Sequence, residues 1–124
     1  MIGYTCVGTN HLDNAVRFYS ELLSLLGAKP LFQTERGVGY GISPGKPMLS
    51  VTKPFDGQPA TVGNGTMVAL AADNPEHVQA LHAKALALGG TNKGAPGPRG
   101  HGFYGAYFRD LDGNKLAVFC MINS

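Results

Sequence analysis

Four histidines, two cysteines and one glycine-rich run hold most of the side chains in this sequence that can do chemistry near neutral pH. The run is "PGPRGHGFYGAY", residues 96–107. In it Arg99 can clamp a carboxylate or phosphate through its planar fork, and His101 can move a proton, with Tyr104 and Tyr107 close by. The plainer alternative is a surface loop in which Arg99 and His101 serve only solubility. His77 and His82 lie five residues apart and so share no helix face. Both are expected in solvent, as is His11 at the start of a helix. No His-x-His or His-Glu-x-x-His occurs, so there is no independent metal motif. Ser50 has no His-Asp company in sequence, which leaves a nucleophile reading weak. The glycines of "PFDGQPATVGNG", residues 54–65, have no following lysine and no dinucleotide-fold spacing, so they form no phosphate loop. A long linker of this kind can still form the lip of a pocket.

Two helices must position these groups. Asn10 is a candidate N-cap with Asp13 three residues on, and Leu12, Val16, Tyr19, Leu22, Leu23 and Leu26 follow at helical spacing up to Gly27. The second helix opens with Asn74-Pro75-Glu76, carries Val78, Leu81, Ala85 and Leu88 as its stripe, and stops at Gly89-Gly90. Short strands, "YTCV" and "MVAL", precede the helices, and hairpins with the tips "SPGKP" and "LDGNK" follow them. Tyr4 to Met67 and Gly27 to Gly90 are both offsets of 63 residues, which indicates an internal duplication. The order is βαβββ twice: module one is about residues 1–53, the linker 54–64 and module two about 65–124, together one domain.

Alternation assigns the faces. Thr5 and Val7, Leu49 and Val51, Val68 and Leu70, and the set Leu116, Val118 and Cys120 should lie under helices. Tyr4, Cys6, Met48, Ser50, Met67, Ala69, Ala117 and Phe119 then fall on the opposite, free faces. Cys6 and Cys120 point apart on this reading and are expected as free thiols.

Composition narrows the class. Apolar residues make up 44% and charged ones 15%, so the chain is globular rather than disordered. Its ten basic residues are scattered and the net charge is only +2, which argues against nucleic acid. No apolar run is long enough to span a membrane, and no export signal is visible, so a cytoplasmic protein is expected.

Over nearly its whole length the chain resembles the vicinal oxygen chelate superfamily, which includes glyoxalase I, extradiol dioxygenases and bleomycin-resistance proteins. The resemblance rests on "HLDNAVRFYSELLSLLG", "GNGTMVALAA" and "YFRDLDGNKLAVF", with Leu111 in place of the family's hairpin proline. It implies an α+β fold in which two tandem βαβββ modules form a curved eight-stranded mixed sheet, helices on the convex face and a cavity on the concave one. Metal-using members place a His or Glu on each of four strands. Those positions carry over to Tyr4, Ser50, Met67 and Ala117, none a good ligand for a divalent cation such as zinc, nickel or iron. The resemblance therefore implies a vacant metal site and no cofactor.

The leading expectation is a metal-free protein that binds a small organic molecule in a largely apolar cup. Tyr4, Cys6, Met48, Ser50, Met67, Ala69, Ala117 and Phe119 would line the cup, with Arg99, His101 and Tyr104 at its mouth. Arg99 would then favour a ligand with an anionic end. One alternative is a metal-dependent lyase or dioxygenase with non-standard ligands, and another is a structural module with a filled cup. Homodimers are expected, because short modules leave sheet edges that relatives close by pairing.

Overall fold

In a computed structural model, which describes residues 1–122, the chain forms two units, Met1–Val62 and Gly63–Ser124. The first contains β1 (Tyr4–Gly8), α1 (Leu12–Ser24), β2 (Lys29–Gln33), β3 (Gly37–Gly41) and β4 (Met48–Thr52). The second contains β5 (Val68–Ala71), α2 (Pro75–Ala87), β6 (Thr91–Gly100), β7 (Phe103–Arg109) and β8 (Lys115–Met121). Hydrogen bonding divides the eight strands into two sheets of four, ordered β1-β4-β3-β2 and β5-β8-β7-β6. In each sheet the first strand pairs parallel with the last and the hairpins pair antiparallel. The βαβββ order thus occurs twice, as the 63-residue offset of the two helices requires. No helix among the described residues is long and apolar enough to cross a membrane.

The helices stop by one device and start by two. Gly27 (φ 76°) and Gly89 (φ 105°) take left-handed conformations that L side chains resist. Beyond each, an amide reaches back over the last turn: Ala28 N–H to the Leu23 carbonyl at 3.1 Å, and Gly90 N–H to the Ala85 carbonyl at 2.9 Å. The left-handed counterpart of Gly27 is therefore Gly89, not Gly90. At the start of α2, Asn74 caps as expected, its Oδ1 accepting the His77 N–H at 2.8 Å. Asn10 does not cap α1. His11 occupies the cap position without a side-chain cap bond, and Thr9 Oγ1 accepts the His11 N–H at 3.0 Å. The Asn10 amide is committed instead to Ala60, accepting its N–H at 2.7 Å and donating to its carbonyl at 3.2 Å. Two bonds to a segment fifty residues away outweigh one local cap.

Packing follows the expected faces with two shifts. Val7, Leu49, Val51, Leu116, Val118 and Cys120 are buried, whereas Val68 and Leu70 are only half-buried. The buried stripe of α1 is Ala15, Phe18, Tyr19, Leu22 and Leu23, so Leu12, Val16 and Leu26 sit at its margins. Phe18 meets Tyr19 edge-on at 5.1 Å, and Tyr19 faces Tyr40 of β3 at 6.5 Å.

His82, expected in solvent, is buried between α2 and its sheet. Its Nε2 lies 3.1 Å from Asn92 Oδ1 and 3.2 Å from the Tyr107 carbonyl. Both are acceptors, so Nε2 carries the proton and the ring is satisfied in place. His77 is half-buried rather than solvated, its Nδ1 accepting the Asp73 N–H at 3.1 Å.

The β7–β8 turn is built on Asp110. Its Oδ1 accepts the N–H groups of Asp112 and Asn114, each at 2.9 Å, and its Oδ2 accepts the Asn114 side-chain amide at 2.9 Å. Gly113 (φ 92°) completes the reversal, so Leu111 serves where the family uses proline.

Candidate functional site

Away from its helix, the first sheet is nearly stripped of side chains along β3. Val38 and Tyr40 turn into the core, so Gly37, Gly39 and Gly41 make the opposite face bare backbone. Register sets Cys6 beside Ser50, Ser50 beside Gly39, and Gly39 beside Phe32. The Phe32 ring occupies the space where a Cβ on Gly39 would stand. A close approach of this kind is what glycine in a strand permits.

A pocket of about 320 Å³ opens on this face, lined among others by Tyr4, Cys6, Phe32, Arg36, Ser50 and Phe55. Ser50 is buried and its hydroxyl donates to the Val38 carbonyl at 3.3 Å, so only its acceptor capacity remains for a guest. Tyr4 is 59% exposed and lines the pocket. A second pocket of about 390 Å³ adjoins it against the chain that follows β4. The two share Arg36, Lys53 and Phe55. The Arg36 guanidinium lies 4.9 Å from the centre of the Phe55 ring. Among the described residues no histidine or carboxylate lines either pocket.

In the second unit the open face carries aromatic rings. Phe103 and Phe119 stack at 5.1 Å with planes 6° apart. Register sets Ala117 between Ala69 and Tyr107, and the Tyr107 ring has two cations near it, Arg99 and Lys115, each at 5.4 Å. Arg99 lies in β6 and donates to the Ala95 carbonyl at 2.5 Å, folding back on its own strand. His101 (φ 54°) and Gly102 (φ 80°) form the tight turn from β6 to β7, where positive φ at both residues matches strand twist. "PGPRGHGFYGAY" is thus a β-hairpin rather than a loop, and the His101 side chain is exposed at its tip.

The sequence-derived site residues divide accordingly. Tyr4, Cys6 and Ser50 come together in the first-unit pocket, and Met48 is half-buried one row away in β4. Met67, just before β5, is exposed, Ala69 is exposed, and Phe119 is half-buried in its stack. Two placements differ from expectation. Tyr104 alternates with Tyr107 and turns to the helix side, where its hydroxyl accepts from Gln79 Nε2 at 2.9 Å. Ala117 is fully buried and offers no contact surface. Sequence reasoning missed Phe32, Arg36, Lys53 and Phe55. The available signal was the alternate glycines of "GVGYG", which mark a strand face bared for close approach.

The positions at which the resemblance implies metal ligands carry other chemistry. In the first unit they offer the Tyr4 phenol and a Ser50 hydroxyl already bonded to backbone, and in the second the Met67 thioether and the Ala117 methyl. Among the described residues no group of three or more His, Cys, Asp or Glu side chains can hold a metal ion. These residues do not fit a divalent metal, which needs imidazole or carboxylate donors.

The profile of the Glyoxalase/Bleomycin resistance protein/Dioxygenase superfamily matches residues 1–118. Among solved structures, a glyoxalase/bleomycin resistance protein from Albidiferax ferrireducens T118 is 38% identical. That match covers 97% of this chain and 98% of the other, with a TM-score of 0.88. Lactoylglutathione lyase from Agrobacterium tumefaciens is 22% identical over 97% and 92% of the two chains at a TM-score of 0.69, a likeness of fold. No curated protein matches the chain.

Proposed function

The chain belongs to the glyoxalase/bleomycin resistance protein/dioxygenase superfamily, and from that premise we propose that it binds a small organic molecule without a metal. The pocket on the open face of the first sheet carries the reading. It has ligand size, aromatic walls in Tyr4 and Phe32, and a few polar groups such as the Ser50 oxygen. The four ligand positions lack metal donors, which favours a metal-free mode. Among the described residues no histidine or carboxylate lines the pocket, which favours binding over turnover that uses either as its proton relay.

Cys6 supplies the test, because it is exposed in the pocket whereas Cys120 is buried. N-phenylmaleimide should label Cys6 and fill the site. We expect the neutral probe N-phenyl-1-naphthylamine to bind unmodified protein with or without EDTA, and to lose binding after labelling. A Cys6→Ala variant treated in the same way should keep it. Binding that survives labelling, or that disappears with EDTA, would refute the proposal.

A further inference from the structure

We infer that Arg36 and Lys53 form an anion-recognition site, and that the ligand of the first-unit pocket is a planar organic anion. This rests on the reading of that pocket as the ligand site and names the chemistry of its guest. The two residues lie far apart in sequence, but β3 and β4 run antiparallel and pair Gly37 with Thr52. Arg36 immediately precedes the first of these and Lys53 immediately follows the second. A backbone bond ties them together, the Arg36 carbonyl accepting the Lys53 N–H at 2.7 Å, and the Thr52 hydroxyl lies within hydrogen-bond reach of both their carbonyls, at 3.2 Å and 3.0 Å.

Two cationic residues are thus neighbours on adjacent strands and line both pockets. Like charges placed so repel, and an anion between them relieves the repulsion. Among the described residues no carboxylate lines either pocket, and neither Arg36 nor Lys53 is in an ion pair. Glu35 and Asp56 are their near neighbours in sequence, yet neither lines either pocket. The guanidinium is steered by its position over Phe55, and a guanidinium stays charged at any working pH. Phe55 is 90% exposed, so the ring face away from Arg36 is open to a second flat group. Phe32 supplies another ring in the lining of the first pocket. The arrangement fits a flat body between rings and an oxyanion on the two cations.

The experiment is fluorescence titration with 8-anilinonaphthalene-1-sulfonate and its neutral counterpart N-phenyl-1-naphthylamine. Wild type, Arg36→Gln, Lys53→Gln and Lys46→Gln would be compared. Lys46 lies exposed in the β3–β4 turn and controls for net charge. Arg36→Gln and Lys53→Gln should each weaken the sulfonate by about tenfold, the loss of one charge-assisted hydrogen bond. The neutral probe should keep its affinity in both, and Lys46→Gln should change neither probe. In wild type, raising NaCl from about 20 to 500 mM should weaken only the sulfonate, a readout that needs no variant. Equal losses for both probes, an equal effect of Lys46→Gln, or salt-independent sulfonate binding would overturn the inference and leave the pocket standing. If neither probe binds wild type, the proposed function fails and this inference with it.

Discussion

Tyr40 carries a hydroxyl into the apolar core of the first unit and finds two partners there. Ser20 Oγ lies 2.9 Å from the phenol oxygen, and the phenol donates to the Val16 carbonyl at 3.1 Å. Burial raises its pKa above the ordinary value of 10.0, and the bond to Ser20 offsets this in part. The consequence for stability has a definite sign. Below pH about 10 the phenol is protonated in both folded and unfolded chains and contributes no pH dependence. Above that value the unfolded chain releases its proton first, so stability falls as pH rises toward the folded-state pKa. Tyr40→Phe should cost about 1 kcal/mol at neutral pH through the lost hydrogen bonds. It should also make the alkaline decline shallower than in wild type. Urea unfolding at a series of pH values checks both, and identical alkaline slopes would rule out a Tyr40 contribution.

The strand β3 does at the scale of an element what no single side chain does. Its alternate glycines leave one face bare, and Phe32 from β2 lies across Gly39 to become a pocket wall. A Cβ at Gly39 cannot coexist with that ring position. Phe32 is 40% exposed, however, so its ring can swing outward without opening the core. Gly39→Ala should therefore change folding stability by less than about 1 kcal/mol, the strand gaining a residue with less unfolded-state entropy. The same substitution should weaken N-phenyl-1-naphthylamine binding severalfold, because the wall is displaced. Thermal unfolding alongside the titration separates the effects. A large stability loss with unchanged affinity would place Phe32 in the fold rather than in the site.

For the whole molecule, the open issue is how its sheet edges are used. Each four-stranded sheet ends in two strands paired on one side only, β1 and β2 in the first, β5 and β6 in the second. Unpaired edges are templates for further pairing, and proteins protect them. We expect a homodimer, and light scattering at micromolar protein should give about twice the 13.0 kDa chain mass. A mass of one chain would count against it. The exposed Ile42, Met67 and Met121 are further apolar surface that association can cover.

Both helices, the duplicated order, the alternation of the strands and the Asp110 turn were legible in the sequence, because each depends on periodicity or chemistry within a few residues. The donor types at Tyr4, Ser50, Met67 and Ala117 were legible for the same reason. What stayed hidden depends on contacts between distant segments. Asn10 looks like a cap until Ala60 is folded against it, and His82 looks solvated until Asn92 and the Tyr107 carbonyl arrive from β6 and β7. Arg36 and Lys53 read as two of ten scattered cations until antiparallel register sets them side by side. Hydrophobic spacing and turn chemistry are local, so the sequence by itself determined both helices and the helix-facing side of β1, β4, β5 and β8. Register and the return of remote segments are not local, so only the tertiary structure decided which polar groups are already satisfied and which remain for a ligand.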